Sequence, residues 1–226
     1  FVDSVSCAGS SPVEVDAWGL DIVSVGSQKV LGAPPGLSAL SVSEAAWDVF
    51  RNVKRPNRYS YFSILDWREL WLEKGIWPYT TSTTEVAALN EAVSEYLEVG
   101  HEEHFRRYAE IARAARAGVG AMGLRLWPDK EEHACNVATA VTVPDGVDDE
   151  QLRRRMIEKF GVLISGSLVN TPIYGKLVRL GHMGRTCSPA YGVVALTALG
   201  HCLNEMGCRV DVGAGVDAFL SQLDPV

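Results

Sequence analysis

The sequence predicts an α/β protein in two parts: residues 1–84 as the end of a strand-rich, mixed-sheet domain, and residues 85–226 as a smaller α/β unit hung on a long helix. Three observations carry this. Short apolar runs separated by Gly, Ser and Pro fill the first forty residues. Apolar residues at helical spacing follow from about residue 85. A strand–turn–helix–strand pattern resumes after residue 135.

Phe1–Ser6 reads as a buried strand, "AGSSP" as a loop, Val13–Leu20 as a short helix and Ile22–Val25 as a second strand. Leu37–Val42 alternates apolar and small polar residues, as a third strand does. Ser43 then caps a helix, with Glu44 in the first turn where the helix dipole favours an acid. Residues 51–82 read as irregular and rich in aromatics, a length of loop that marks a functional segment or an interface. Leu89, Ala92, Val93, Tyr96 and Leu97 form one apolar helix face. Gly100 interrupts it, and a second helix runs over about Glu102–Met122. "VATAVTVPDGVDDEQLRRRMIEKFGVLIS" reads as strand, turn, helix capped by Asp148 or Asp149, and strand. "GKLVRLGHMG" gives one more strand. Ser188-Pro189 opens a helix to about Met206, and Val216–Leu223 is the last helix.

Of the 226 residues 47% are hydrophobic, and six Trp, seven Tyr and six Phe argue for packed cores. A net charge of −7 and a pI near 5.3, with no basic run, argue against nucleic acid as a partner. No apolar stretch has the length of a membrane span. Five cysteines without a CxxC spacing read as reduced thiols of a cytoplasmic protein, with neither a disulfide framework nor a metal site. The opening "FVDSVSCAGSS" has no Met and reads as mid-strand, so the expectation is one portion of a larger fold.

Lys29 stands at the end of an apolar strand, hemmed by "VGSQ" and "VLGAPPG", where a buried ammonium is costly. Asp3 closes another apolar run. If the two strands are neighbours, an amine and a carboxylate face one cavity. That pair suits pyridoxal 5'-phosphate: the lysine condenses with the cofactor aldehyde and the acid keeps the pyridine nitrogen protonated. The residue types alone leave open a buried ion pair, or a lysine whose stem packs while its head reaches water.

"VDSVSCAG" followed by "WGLDIVSVGSQKVLGAPPGL" resembles the cofactor-binding signature of the class V aminotransferases of PLP fold type I. It is most similar to their serine–glyoxylate, alanine–glyoxylate and pyridoxamine–pyruvate types. "WPYTTSTTEVAALNEAV" resembles the family's dimer-interface segment and "GKLVRLGHMG" its substrate-carboxylate strand, in family order and at family spacing. The resemblance implies Lys29 as the Schiff-base lysine, Asp3 as the pyridinium partner and Gln28 as a phosphate donor. Ser27 is a further hydroxyl at the cofactor, and Thr80 is a phosphate contact supplied across a homodimer. Trp77 stands where some relatives carry tyrosine; for it and Tyr79, interface packing is the other reading. Arg179 matches the arginine that grips the substrate α-carboxylate, and His182 reads as structural.

The function this implies is transamination between a small amino acid of serine or alanine type and glyoxylate or pyruvate. "AWGLD" and "WPYT" lean toward the serine–glyoxylate type, "SILDW" and "LGAPPGL" toward the pyridoxamine–pyruvate type. A second arginine of the latter is Asn170 here. The glycine-rich phosphate loop and the ring-stacking aromatic belong to the family's N-terminal half, so a complementary polypeptide is expected to carry them. The alternatives are a lyase or desulfurase of the same fold, and a non-catalytic subunit scaffolding a full-length partner.

Overall fold

The computed structural model describes residues 1–224 and divides them into two units. The first holds residues 1–8 and 12–98, the second residues 9–11 and the chain from Val99 onward.

In the first unit β1 (Val2–Asp3), β2 (Ile22–Gly26) and β3 (Ser38–Val42) form a sheet in that order. The branched side chains of Ile22, Val23 and Val25 suit a central pleated strand. β1 lies parallel to it, with Val2 opposite Val23 and Asp3 opposite Ser24, and β3 lies antiparallel on the other side. β1 is shorter than the expected Phe1–Ser6 and exposed rather than buried, because it is an edge strand and the chain turns away at once. The Ser4 carbonyl accepts the amides of Cys7 (3.2 Å) and Ala8 (3.0 Å). The expected helix over Val13–Leu20 is a set of turns. Trp18 N–H bonds the Glu14 carbonyl, but Leu20 N–H reaches back to Val15 and closes the segment, so the nucleating turn never propagates.

α1 (Glu44–Asn52) starts where Ser43 Oγ accepts the Ala46 amide, and the same hydroxyl donates to Asp21 Oδ1 at 2.8 Å. It buries Ala46 and Trp47. Residues 51–82 are less irregular than expected: α2 (Ile64–Asp66) runs on as a π-helical turn, Trp67–Leu72. α3 (Thr83–Val99) closes this unit.

The second unit starts from Gly100, whose φ of +87° interrupts the helical pattern before α4 (His101–Ala121). Its sheet has the order β4 (Ala138–Thr142), β6 (Leu177–Gly181), β5 (Ser165–Gly166), antiparallel throughout. α5 (Asp149–Phe160) is capped by Asp148, whose carboxylate accepts the Gln151 amide at 2.8 Å. α6 (Pro189–Glu205) and α7 (Val212–Leu220) complete it. α7 starts before the expected Val216 because Asp211 caps it through the Ala214 amide. The core is built from Val119 and Met122, Leu152 and Met156, Leu199 and Leu203, Phe219, and Val141 and Val178 of the sheet. Among the described residues no helix is long and apolar enough to cross a membrane.

Candidate active site

β1 and β2 run parallel, so their C-terminal ends reach the same edge of the sheet. Asp3 ends β1. Its Oδ1 accepts the Val5 amide at 3.0 Å, which fixes the carboxylate, and no other bond to a described residue engages it. Lys29 lies in the turn beyond β2, where its carbonyl accepts the Gly32 amide at 3.1 Å. The side chain is half-buried and makes no ion pair or hydrogen bond with a described residue, whereas Lys54, Lys74, Lys130, Lys159 and Lys176 are all exposed. Asp3 and Lys29 therefore do not form the ion pair that their residue types alone left open.

The turn that carries Lys29 is tied from both sides. Ser27 is buried; its amide donates to the Leu37 carbonyl (3.3 Å), its carbonyl accepts the Ala33 amide (3.0 Å), and its hydroxyl donates to the Pro34 carbonyl at 2.7 Å. The one donor hydrogen of Ser27 is thus spent on the Pro-Pro-Gly turn, so this residue shapes the loop. Gly26 sits where a Cβ would come within 2.9 Å of Val5 Cγ1 and 3.1 Å of Gln28 Oε1. Only glycine lets the end of β2 approach Val5 this closely, and the exposed Gln28 amide folds back over that gap. An unpaired half-buried amine, an anchored carboxylate and an exposed amide at one sheet edge fit a group that presents an aldehyde, a basic ring nitrogen and a phosphate.

Thr80 is exposed and flanked by two anchors. Glu85, in the first turn of α3, packs its stem on Gly36 of the Pro-Pro-Gly turn. On the other side the Tyr79 hydroxyl donates to Asp66 Oδ2 at 2.8 Å. Asp66 also accepts from Arg58 (3.1 Å) and the Tyr59 amide (2.8 Å), while Arg58 forks onto Glu69 at 2.6 and 2.7 Å. Trp77 stacks on Trp71, ring centroids 4.7 Å apart, and so is engaged by an aromatic neighbour. The Asp66 knot escaped the sequence reading. "SILDW" carried a signal, since a serine three residues before an aspartate can cap a short turn; here Ser63 Oγ accepts the Asp66 amide at 3.2 Å.

Arg179 lies on the exposed face of β6 between the buried Val178 and Leu180, opposite Ala140 and Ser165. Its Nε and Nη2 donate to the Gly166 carbonyl at 3.1 and 2.8 Å. That leaves the Nη1–Nη2 edge of the guanidinium open for a two-point contact with a carboxylate. His182 is buried against Thr139, its Nε2 3.1 Å from Thr139 Oγ1. Burial pushes His182 down to about 4, and the nearby Arg116 charge adds to the effect. Its protonation therefore favours the unfolded chain. The contribution is complete above the ordinary histidine value and is lost as pH falls toward 4. Urea unfolding should show stability falling by up to about 1.4 kcal/mol per pH unit between roughly pH 6.5 and 4.5. His182→Gln should flatten that slope; a slope unchanged in this variant would mean that another group titrates.

The family described as aminotransferase class-V matches residues 1–187. The chain is 40% identical over 224 residues to a pyridoxamine–pyruvate transaminase of Mesorhizobium japonicum, covering 99% of this chain and 56% of that protein. It is 30% identical over 223 residues to a serine–glyoxylate aminotransferase of Arabidopsis thaliana, covering 99% of this chain and 54% of that one. The crystal structure of pyridoxamine-pyruvate aminotransferase from Mesorhizobium loti superposes with a TM-score of 0.93 at 40% identity, over 98% of this chain and 56% of that chain. The chain thus spans about half the length of the curated relatives it matches.

Proposed function

The chain belongs to the class-V aminotransferase family, whose members work with pyridoxal 5'-phosphate, and from that premise we propose that it forms the lysine-bearing half of a transaminase. The amino donor is a small amino acid of serine or alanine type, in keeping with the names of the serine–glyoxylate and alanine–glyoxylate relatives. The acceptor is glyoxylate or pyruvate, the latter in keeping with the pyridoxamine–pyruvate relative, whose own named donor is pyridoxamine. The observation that carries this reading is the unpaired, half-buried Lys29 at the end of a strand paired in parallel with the one bearing Asp3.

When bound, the cofactor supplies an aldehyde for amines and a ring that accepts the electron pair released at the substrate α-carbon. Lys29 would hold it through its ε-amine and, when that amine is free, would carry the proton to and from the substrate α-carbon. Asp3 keeps a proton on the pyridine nitrogen; its anchoring by the Val5 amide fixes the direction of the carboxylate. Gln28 donates its amide to the phosphate, and Ser27 holds the Lys29 turn in shape. Thr80 serves the phosphate of a second copy's site, so the active form is a homodimer. Arg179 fixes the substrate α-carboxylate through its open edge. An N-terminal polypeptide carrying the rest of the fold completes each site. In support, the relatives are nearly twice as long, and Val2 and Leu40 lie exposed on edge strands. A cytoplasmic setting suits five cysteines that form no disulfide with one another. Burial pushes the Cys187 thiol up to about 12 and raises Cys202 as well, so neither offers the thiolate that a desulfurase needs.

The test is a half-reaction screen on the complete assembly. L-alanine or L-serine should abolish the absorbance of the resting cofactor, and glyoxylate or pyruvate should restore it. Ammonia release instead would mean lyase chemistry; no spectral response to any amino acid would leave only a scaffolding subunit.

A further inference from the structure

Arg179 donates to a backbone carbonyl, and the glycine that bears this carbonyl is packed closely at its Cα. A Cβ on Gly166 would lie 2.9 Å from Asp149 Oδ2, 3.0 Å from Arg153 Nε and 3.2 Å from Arg153 Cζ. The Asp149–Arg153 pair therefore sits directly on the Gly166 backbone. Asp149 is buried, and Arg153 donates to its Oδ2 through Nε (3.2 Å) and Nη2 (3.1 Å) one turn along α5. The far end of the same loop is fastened to the same helical turn. Asp149 Oδ1 would meet a Cβ on Gly175 at 3.6 Å, the Gly175 amide donates to Ser167 Oγ at 2.9 Å, and the Tyr174 hydroxyl donates to Glu150.

We propose that the Asp149–Arg153 pair is a positioning device for Arg179: pressed against Gly166, it holds the carbonyl that takes up the Nε–Nη2 edge and so aims the other edge at the substrate carboxylate. The proposal rests on the reading of Arg179 as the carboxylate-binding arginine. An ion pair whose carboxylate is buried is a poor source of stability compared with apolar packing of the same volume, so a pair set on a glycine beneath a functional arginine points to placement. A guanidinium free to rotate about its last torsions would meet a carboxylate through one hydrogen bond as often as two, and the second bond is what fixes the remaining substituents at Cα. Asp149 and Arg153 touch neither substrate nor cofactor; they act through Gly166.

The experiment uses the cofactor-loaded assembly, with propionate as a carboxylate probe and L-alanine as substrate. Asp149→Asn should raise the propionate Kd and the L-alanine KM by about tenfold, the loss of one well-made charged hydrogen bond, with kcat within about threefold. Arg153→Gln, at a more exposed position, should do so by about threefold and serves if Asp149→Asn fails to fold. Arg153→Lys, which keeps the charge against Asp149, should recover most of the affinity. Circular dichroism and the thermal midpoint report folding. Arg179→Lys separates the two claims. If it weakens propionate while a folded Asp149→Asn or Arg153→Gln binds propionate within twofold of the parent, the positioning device is wrong and the arginine's role stands. If Arg179→Lys also binds propionate normally, the reading of Arg179 fails and the device falls with it.

Discussion

Lys29→Ala, prepared as the complete assembly, should retain no pyridoxal phosphate after borohydride reduction and denaturation, and should transaminate at least about 10⁴-fold more slowly than the parent. The loss is this large because one amine has two duties, holding the cofactor and moving the α-proton, and no neighbour can take over either. The other five lysines are exposed, and Lys130 and Lys159 are already engaged by Glu132 and Glu205. The fold should survive the change. The Lys29 side chain makes no bond to a described residue, and the turn is held by its backbone and by Ser27, so the thermal midpoint should move little. Lys29→Arg should be equally inactive, since a guanidinium stays protonated and cannot add to an aldehyde. Cofactor still fixed by borohydride in Lys29→Ala would place the attachment at another lysine and overturn the site.

The parts of this molecule that sequence could give are those where local pattern and tertiary setting agree. Ser43 and Asp148 announce their helices by cap chemistry, and both cap them here. The strand Ile22–Gly26 and the helix pair around Gly100 follow from periodicity and one glycine. Misreadings fall where a nonlocal partner decides. Val13–Leu20 has helix-compatible residues, yet too short a run to outlast its nucleating turn. Trp67–Leu72 becomes helical because Ser63, Arg58 and Tyr79 converge on Asp66 from up to thirteen residues away, which no window of local propensity contains. The candidate site divides in the same way. Lys29 and Asp3 stood out as residue types at strand ends, and Arg179 through the motif "GKLVRLGHMG" alone. The Gly166 carbonyl behind Arg179 did not, because a backbone acceptor has no signature in sequence.

Asp66→Ala should destabilise the first unit by about 2–3 kcal/mol, the cost of leaving part-buried donors without their charged acceptor, since Arg58 keeps its fork onto Glu69. Asp66 is only 6% exposed and gathers Arg58, the Tyr59 amide and the Tyr79 hydroxyl on one carboxylate. Tyr59, at a φ of +54°, bears part of the cost, since its strained backbone is held by that amide bond. Burial alone would raise the carboxyl pKa; the hydrogen bonds from Tyr79, Arg58 and the Tyr59 amide outweigh it and leave Asp66 below the ordinary carboxylate range. Its contribution is therefore complete above the unfolded value and lost only as pH falls through the lower folded one. Destabilisation by Asp66→Ala should accordingly be constant from pH 8 to 5 and shrink in stronger acid, whereas the His182 contribution begins to fade near pH 6.5. Tyr79→Phe removes one of the bonds and should cost about 1 kcal/mol. The functional reading adds a second readout. Tyr79 directly precedes Thr80, so both variants should weaken retention of the cofactor phosphate more than an equally destabilising change in the second unit's core, such as Leu199→Ala. Equal cofactor retention in variants matched for stability would make the knot a purely structural one, and a loss below about 1 kcal/mol in Asp66→Ala would show that its three donors find other acceptors.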